Sequence, residues 1–175
     1  MLSRETGYGR DYGFNPYPGY DDVDTPPFLF DGEVDGRLAA KERIVGIGLD
    51  RDPVGVRLDA LSEQGVLVVD VDGTSLTVWH LPGTSSAIDA GVFADGREVG
   101  ATGVFIPEVP GQTLTFERDG DLERFVDVET GSEWDIFGEA IAGPLAGERL
   151  DAVEHVDTFW FAWAAYQPET RIEPA

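Results

Sequence analysis

The chain of 175 residues carries 12 Lys+Arg against 34 Asp+Glu, a formal net charge of −22, with 42% hydrophobic and 11% aromatic residues. It is long enough for one folded domain and too apolar for a disordered acidic chain. The lack of cysteine removes disulfides, thiolate metal sites and cysteine nucleophiles, and the acidity removes nucleic acid and anionic membranes as partners.

Residues 1–36 concentrate Tyr8, Tyr12, Tyr17 and Tyr20 among Gly7, Gly9, Gly13, Pro16, Pro18 and Gly19. Glycine and proline at this density forbid a regular helix, while tyrosine rings can pack on a neighbour with their hydroxyls in water. The segment 1–36 therefore reads as an extended arm packed on a single β-rich domain of residues 37–175. Phe28-Leu29-Phe30, after Pro26-Pro27, is expected to dock, because three large apolar side chains are costly to leave wet. Asp21-Asp22-Val23-Asp24 reads as a solvated acidic stretch.

From Arg43 the pattern changes to strands. Ile44–Leu49 is short and rich in β-branched residues, and Pro53–Leu58 alternates, with Val54, Val56 and Leu58 on one face. Asp50-Arg51-Asp52-Pro53 between them predicts a hairpin. Asp59–Gln64 predicts one short helical turn. Val66–Val71 and Ser75–His80 predict a second hairpin around the tight turn Asp72-Gly73. Residues 81–112 are glycine-rich and irregular, with one strand expected near Gly103–Ile106. Thr113–Arg118 and Glu123–Val128 predict two more strands, and Glu129-Thr130-Gly131-Ser132 a turn. Gly138–Gly147 reads as a loop broken by glycine and proline. Thr158–Tyr166 is the strong helix candidate, capped by Thr158, ended by Pro168, and apolar almost all round, hence expected to be buried. The fold class is mainly β: a compact antiparallel β barrel or sandwich with one C-terminal helix and an extended N-terminal arm.

The polar motifs are sparse. His80 and His155 are the only histidines, and no His-x-x-x-His spacing joins them, so no metal and no cofactor are expected; a metal would need both histidines and a carboxylate together. Asp70-Val71-Asp72-Gly73 opens like a calcium loop but lacks its later ligands and reads as a turn. Gly83–Asp89 offers Thr84, Ser85 and Asp89 as candidate binding groups, although hydroxyls there also satisfy a turn backbone. Asp127, Ser132 and Asp135, around Thr130-Gly131 and Trp134, are the candidate catalytic groups, since paired carboxylates beside a serine suit general acid–base work. Carboxylates and hydroxyls at this spacing also make turn hydrogen bonds, and that structural reading is the favoured one. Trp134 and Trp160 are the aromatics available to a ligand groove.

Lys41 is the one lysine, every other base is arginine, and acids run from Glu5 to Glu173 without a block. Such an even charge reads as a whole surface made acidic, self-repelling at low salt and screened at molar salt, where the Debye length is about 3 Å. We read it as a halophilic adaptation. No run of 18 apolar residues exists and no apolar h-region follows the N-terminus. A high-salt cytosol is therefore the expected location, or an extracytoplasmic one if a leader has been removed.

Longer motifs carry a resemblance. Asp127–Leu150 (DVETGSEWDIFGEAIAGPLAGERL), Leu2–Tyr20 (LSRETGYGRDYGFNPYPGY), Gly83–Asp89 (GTSSAID), Val99–Phe105 (VGATGVF) and His155–Ile172 (HVDTFWFAWAAYQPETRI) resemble segments of the DUF3179 family of bacteria and haloarchaea. The resemblance implies the C-terminal half of a duplicated haloarchaeal member, because full-length members look like two such halves joined at the LSRETG segment. It also implies that the Cys-Pro-Leu-Cys and Trp-His-Glu motifs of the other half are missing here, so metal or redox chemistry built on them has no residues. His80 lies near the position that the cysteine motif would occupy. Self-association or pairing with a first-half-like partner follows as an expectation. The leading function is a non-catalytic binding or accessory domain of unknown ligand; the alternative is an enzyme or metal site built on the Asp127–Asp135 turn and a histidine.

Overall fold

The computed structural model describes residues 7, 9, 14–48, 51–120 and 123–174. Tyr8, Tyr12 and Gly13, Leu49 at the end of the first predicted strand, Asp50 of the turn after it, and Asp121 lie outside the described residues. The fold is mainly β, with four sheets and two helices, one of them C-terminal; no barrel closes among the described residues.

The first sheet has the order β13 (His155–Phe159), β1 (Arg43–Ile47), β2 (Val54–Arg57), β14 (Arg171–Glu173). The predicted hairpin is present, with Ile44 opposite Arg57 and Ile47 opposite Val54. β14 joins β2 in parallel, so the sheet is mixed where an all-antiparallel arrangement was expected. The second sheet is β12 (Asp151–Ala152), β5 (Ala101–Ile106), β4 (Thr74–Leu81), β3 (Val66–Val71), and its β3–β4 turn is Asp72-Gly73 as predicted. The third is β11 (Ala140–Ala142), β10 (Glu133–Trp134), β9 (Arg124–Asp127), β8 (Phe116–Asp119). A small hairpin pairs β6 (Glu108–Val109) with β7 (Gln112–Thr113).

Period-two alternation explains the layering. On β1 and β2, Val45, Ile47, Val54 and Val56 join Leu76, Val78 and Val104 of the second sheet in one apolar cluster, completed by Leu61 of helix α1 (Leu58–Gln64). Ile44, on the opposite face of β1, packs with Trp160, Trp163 and Ala164 of helix α2 (Trp160–Tyr166). Gly46 shares that face, and a Cβ there would lie 2.4 Å from the Trp163 ring, so only glycine lets the indole rest on the strand. The next residues along β4 and β5, Trp79 and Phe105, point the other way into a cluster with Phe116, Phe125 and Trp134 of the third sheet. Trp79 stacks on Phe125 with centroids 4.3 Å apart. The inner strands of the second sheet, β4 and β5, are thus covered on both faces along their middles, while Val68 of β3 is exposed.

Four local expectations need correction. Helix α2 begins at Trp160, not Thr158: Thr158 belongs to β13, and the first helical N–H groups donate to backbone carbonyls, Trp160 N to Glu42 O (2.8 Å) and Phe161 N to Ala40 O (2.8 Å). These carbonyls take the place of a side-chain cap. The same helix is two-sided rather than wholly buried, with Trp160, Trp163 and Ala164 inside and Tyr166 85% exposed. The predicted strand Thr113–Arg118 is split, because Leu114 donates its N–H to Pro107 O and turns its side chain into the core between β7 and β8. The predicted loop Gly138–Gly147 contains β11, paired with β10 across a register shift.

Residues 14–36 hold no extended strand, only an isolated bridge between Phe14 and Val92. Asn15 N donates to Gly91 O (2.9 Å), Gly19 N to Asp89 O (2.5 Å) and Tyr20 N to Ile88 O (3.0 Å). Of Phe28-Leu29-Phe30, expected to dock together, Phe30 meets Phe161 edge-on at 5.0 Å, whereas Phe28 and Leu29 are 64% and 84% exposed.

Candidate functional site: a cation-lined cleft

The candidate catalytic trio belongs to a turn turned inward. Asp127 closes β9 and is fully buried. Its Oδ1 accepts from Thr130 N (2.6 Å), and its Oδ2 accepts from Thr130 Oγ1 (2.9 Å), Ser132 N (3.1 Å) and Trp134 Nε1 (2.9 Å). Burial alone would raise its pKa, but the bonds from Trp134, Thr130 and Ser132 outweigh it and hold the carboxyl below its usual range. Ser132 is also fully buried; its Oγ accepts from Leu145 N (3.0 Å) and lies 2.7 Å from Thr130 Oγ1. Thr130 gives its proton to Asp127, so Ser132 donates to Thr130. Asp135 accepts from Phe137 N (2.9 Å) and Glu139 N (3.0 Å) through Oδ1. The two candidate aromatics are equally committed. Trp134 is buried beside Asp127, and buried Trp160 donates Nε1 to Asp35 O (2.9 Å) with the Arg37 guanidinium 5.0 Å over its ring.

The histidines are not brought to a common centre. No group of three metal-ligating side chains converges among the described residues. His155 Nδ1 lies 2.9 Å from Val153 O. His80, near the end of β4, is buried, and Nε2 lies 3.2 Å from Val99 O. A carbonyl oxygen only accepts, so Nε2 carries the proton and Nδ1 is a bare lone pair; among the described residues Nδ1 has no hydrogen-bond partner. The ring rests on Gly100 (φ 71°), where a Cβ would come within 2.0 Å of Nε2.

His80 lines a cleft of about 300 Å³ together with Lys41, Arg43 and Arg97. Paired with Arg43 and Arg97 of this lining is Asp21, wholly buried where the sequence suggested a solvated acid. Its Oδ2 accepts from Ser86 Oγ (2.5 Å) and Arg43 Nη2 (3.0 Å), and Arg97 Nη2 stands 3.2 Å away while donating to Asp21 O at 2.7 Å. Burial pushes the Asp21 pKa up, yet the bonds from Ser86 and Arg43 and the two guanidinium charges bring it down overall. The buried Nε of Arg43 has no hydrogen-bond partner among the described residues. Lys41 is 3% exposed, donates to Thr25 Oγ1 (2.6 Å) and sits 4.8 Å from the Tyr20 ring centroid.

The candidate binding residues do not line this cleft; they brace the segment that does. Thr84 N donates to Glu98 Oε1 (3.1 Å), Ser85 bridges Glu98, and Asp89 Oδ2 accepts from Arg97 N (2.7 Å). These contacts hold the 96–100 segment, and with it Arg97. Asp21, Lys41, Arg43, Ser86 and Arg97 were missed as site residues. The one usable signal was Lys41, a solitary lysine in an arginine-only background.

One pH effect follows from His80. Burial, the leading cause, and the Arg118 charge lower its pKa, against the opposing pull of Val99 O, Glu98 and Asp157. The unfolded chain then binds a proton near pH 6.5 that the folded chain refuses. Stability from this group is complete above that pH and declines as pH falls below it. Thermal melts between pH 7.5 and 5 are expected to show a falling midpoint in the wild type and a flatter profile in His80→Gln; identical profiles would contradict the assignment.

Layered sheets and a polar cleft over a buried Asp–Arg pair define a mainly β protein whose concavity is built from side chains of several segments. The chain belongs to the DUF3179 family, described as "Protein of unknown function", whose model matches residues 1–170. No curated protein and no solved structure matches it. No helix among the described residues is long and apolar enough to cross a membrane.

Proposed function

We propose that this chain is a non-catalytic binding or accessory module of a salt-rich cytoplasm, and that its ligand site is the cleft bounded by Lys41, Arg43, His80 and Arg97. The observation that carries this reading is that two side chains lining the cleft hold buried polar atoms without a partner among the described residues, Arg43 Nε and His80 Nδ1; Asp21 Oδ1, behind Arg43, is a third such atom. Buried polar groups are ordinarily satisfied, and an exception calls for an explanation such as a partner met in use. The closed hydrogen bonding of Asp127, Ser132 and Thr130 supports a structural role for that turn. The −22 charge, its even spread and the single lysine support the salt-rich setting.

A screen of small fragments in molar potassium chloride, read by backbone amide chemical shifts, tests the site. Binders are expected to move the signals of residues 41–43 and 97–100. Perturbations confined to Asp127–Asp135 would overturn the reading and favour the turn as the working site.

A further inference from the structure

We infer, resting on the cleft being the ligand site, that its ligand is a small oxyanion, a carboxylate or phosphate. Three of the chain's 12 basic residues, Lys41, Arg43 and Arg97, meet at this one concavity. Among the described residues, each guanidinium spends only Nη2 on its side-chain and carbonyl partners, so the rest of each donor fork is uncommitted. An Arg fork matches the planar oxygens of carboxylate and phosphate. Lys41 is more telling. The residue is only 3% exposed, yet the partners of its ammonium are a threonine hydroxyl and a tyrosine ring, and no carboxylate reaches it within ion-pair distance among the described residues. A buried charge without a counter-charge is costly, and an anion in the cleft would supply one.

Asp21 pairs with Arg43 and Arg97 from behind, but the three carboxylates that line the cleft, Glu42, Asp59 and Glu98, form no ion pair with these cations among the described residues. Glu42 and Asp59 are held by Arg57 at 2.9 and 2.5 Å, and Glu98 Oε1 accepts from the backbone N–H groups of Thr84 and Gly100 at 3.1 and 2.7 Å. Asp21 shows that the surroundings already recognise a carboxylate, through two arginines and a serine hydroxyl. In dilute salt the net charge of −22 would repel such a ligand; in molar salt that long-range term is screened while direct hydrogen bonds persist.

Succinate, inorganic phosphate and the neutral succinamide, titrated into the protein at fixed molar ionic strength with amide shifts as readout, test this. The expected result is saturable perturbation of residues 41–43 and 97–99 by succinate or phosphate, at least tenfold stronger than by succinamide and at least tenfold weaker in Arg97→Gln. Stronger phosphate than succinate binding, or the reverse, tells which oxyanion the cleft prefers. Succinamide binding there as tightly as succinate would overturn the oxyanion inference and leave the binding module standing. Failure of all three probes in the cleft, with neutral fragments still binding there, would do the same. If neither anions nor fragments perturb the cleft, both readings fall. The wild-type titration stands alone should Arg97→Gln not fold.

Discussion

Replacing Asp127 by alanine is expected to remove about 4 kcal/mol of folding stability, because each buried polar group left unsatisfied costs about 1–3 kcal/mol. The Trp134 indole N–H loses its buried acceptor, the Ser132 amide is left with Thr130 Oγ1 alone (3.2 Å), and Thr130 loses two contacts. Domains of this kind are stable by only about 5–15 kcal/mol, so much of the molecule's margin rests on one side chain. Asp127→Asn should be milder, about 1–2 kcal/mol, since an amide oxygen at the Oδ2 position can still receive three donors and only the Thr130 amide then faces an N–H. Equilibrium denaturation in high salt measures both. The sign for acid follows from the lowered pKa: the stabilisation is present above the unfolded value of about 3.9 and is lost as pH drops through the folded value. A near-neutral Asp127→Ala would show that the turn does not depend on this carboxylate, and would reopen a chemical role for it.

The second large effect is expected at Asp21. Removing one partner of a buried ion pair costs about 3–5 kcal/mol when both charges are enclosed. Here Arg43 and Arg97 are partly exposed, at 23% and 45% of their side-chain surface, so about 2–3 kcal/mol is a fitter figure for Asp21→Ala. The loss should be local. Hydrogen exchange is expected to speed up at Asn15, Gly19 and Tyr20, whose amides reach residues 88–91, while β4 and β5 stay protected. Acetate in solution should recover part of the loss by entering between the arginines and Ser86. If exchange in residues 14–25 is unchanged, the proposal that residues 1–36 form an arm fastened to the rest through Asp21 fails.

Strand-level structure was legible wherever the pattern was local. Val54 and Val56 alternate with Gly55 and Arg57, and Asp72-Gly73 names its own turn, so the two hairpins could be read directly. The TGS turn was legible too, since Asp127 and Thr130 make the bonds that their spacing allows. What stayed hidden was set by contacts between residues far apart. The start of α2 depends on Ala40 and Glu42 lending carbonyls, and nothing near Trp160 in sequence announces that. Asp21 looks like any acid in an acidic run until Arg43, Ser86 and Arg97 arrive around it from three other segments. The cleft is likewise a product of assembly, so its residues carried no common motif.

The first sheet has a further consequence, for the chain as it is being made. Its two inner strands, β1 and β2, are synthesised early, and both outer strands, β13 and β14, lie beyond residue 154. At about 5–20 residues per second, the hairpin waits on the order of ten seconds on the ribosome with both edges bare. Bare edges are templates for neighbouring nascent chains. An acidic charge spread along the whole sequence travels with each such intermediate and holds like chains apart wherever salt is too dilute to screen it. At low ionic strength the acidic composition thus serves as a safeguard during biosynthesis, over the interval before the sheet can close itself.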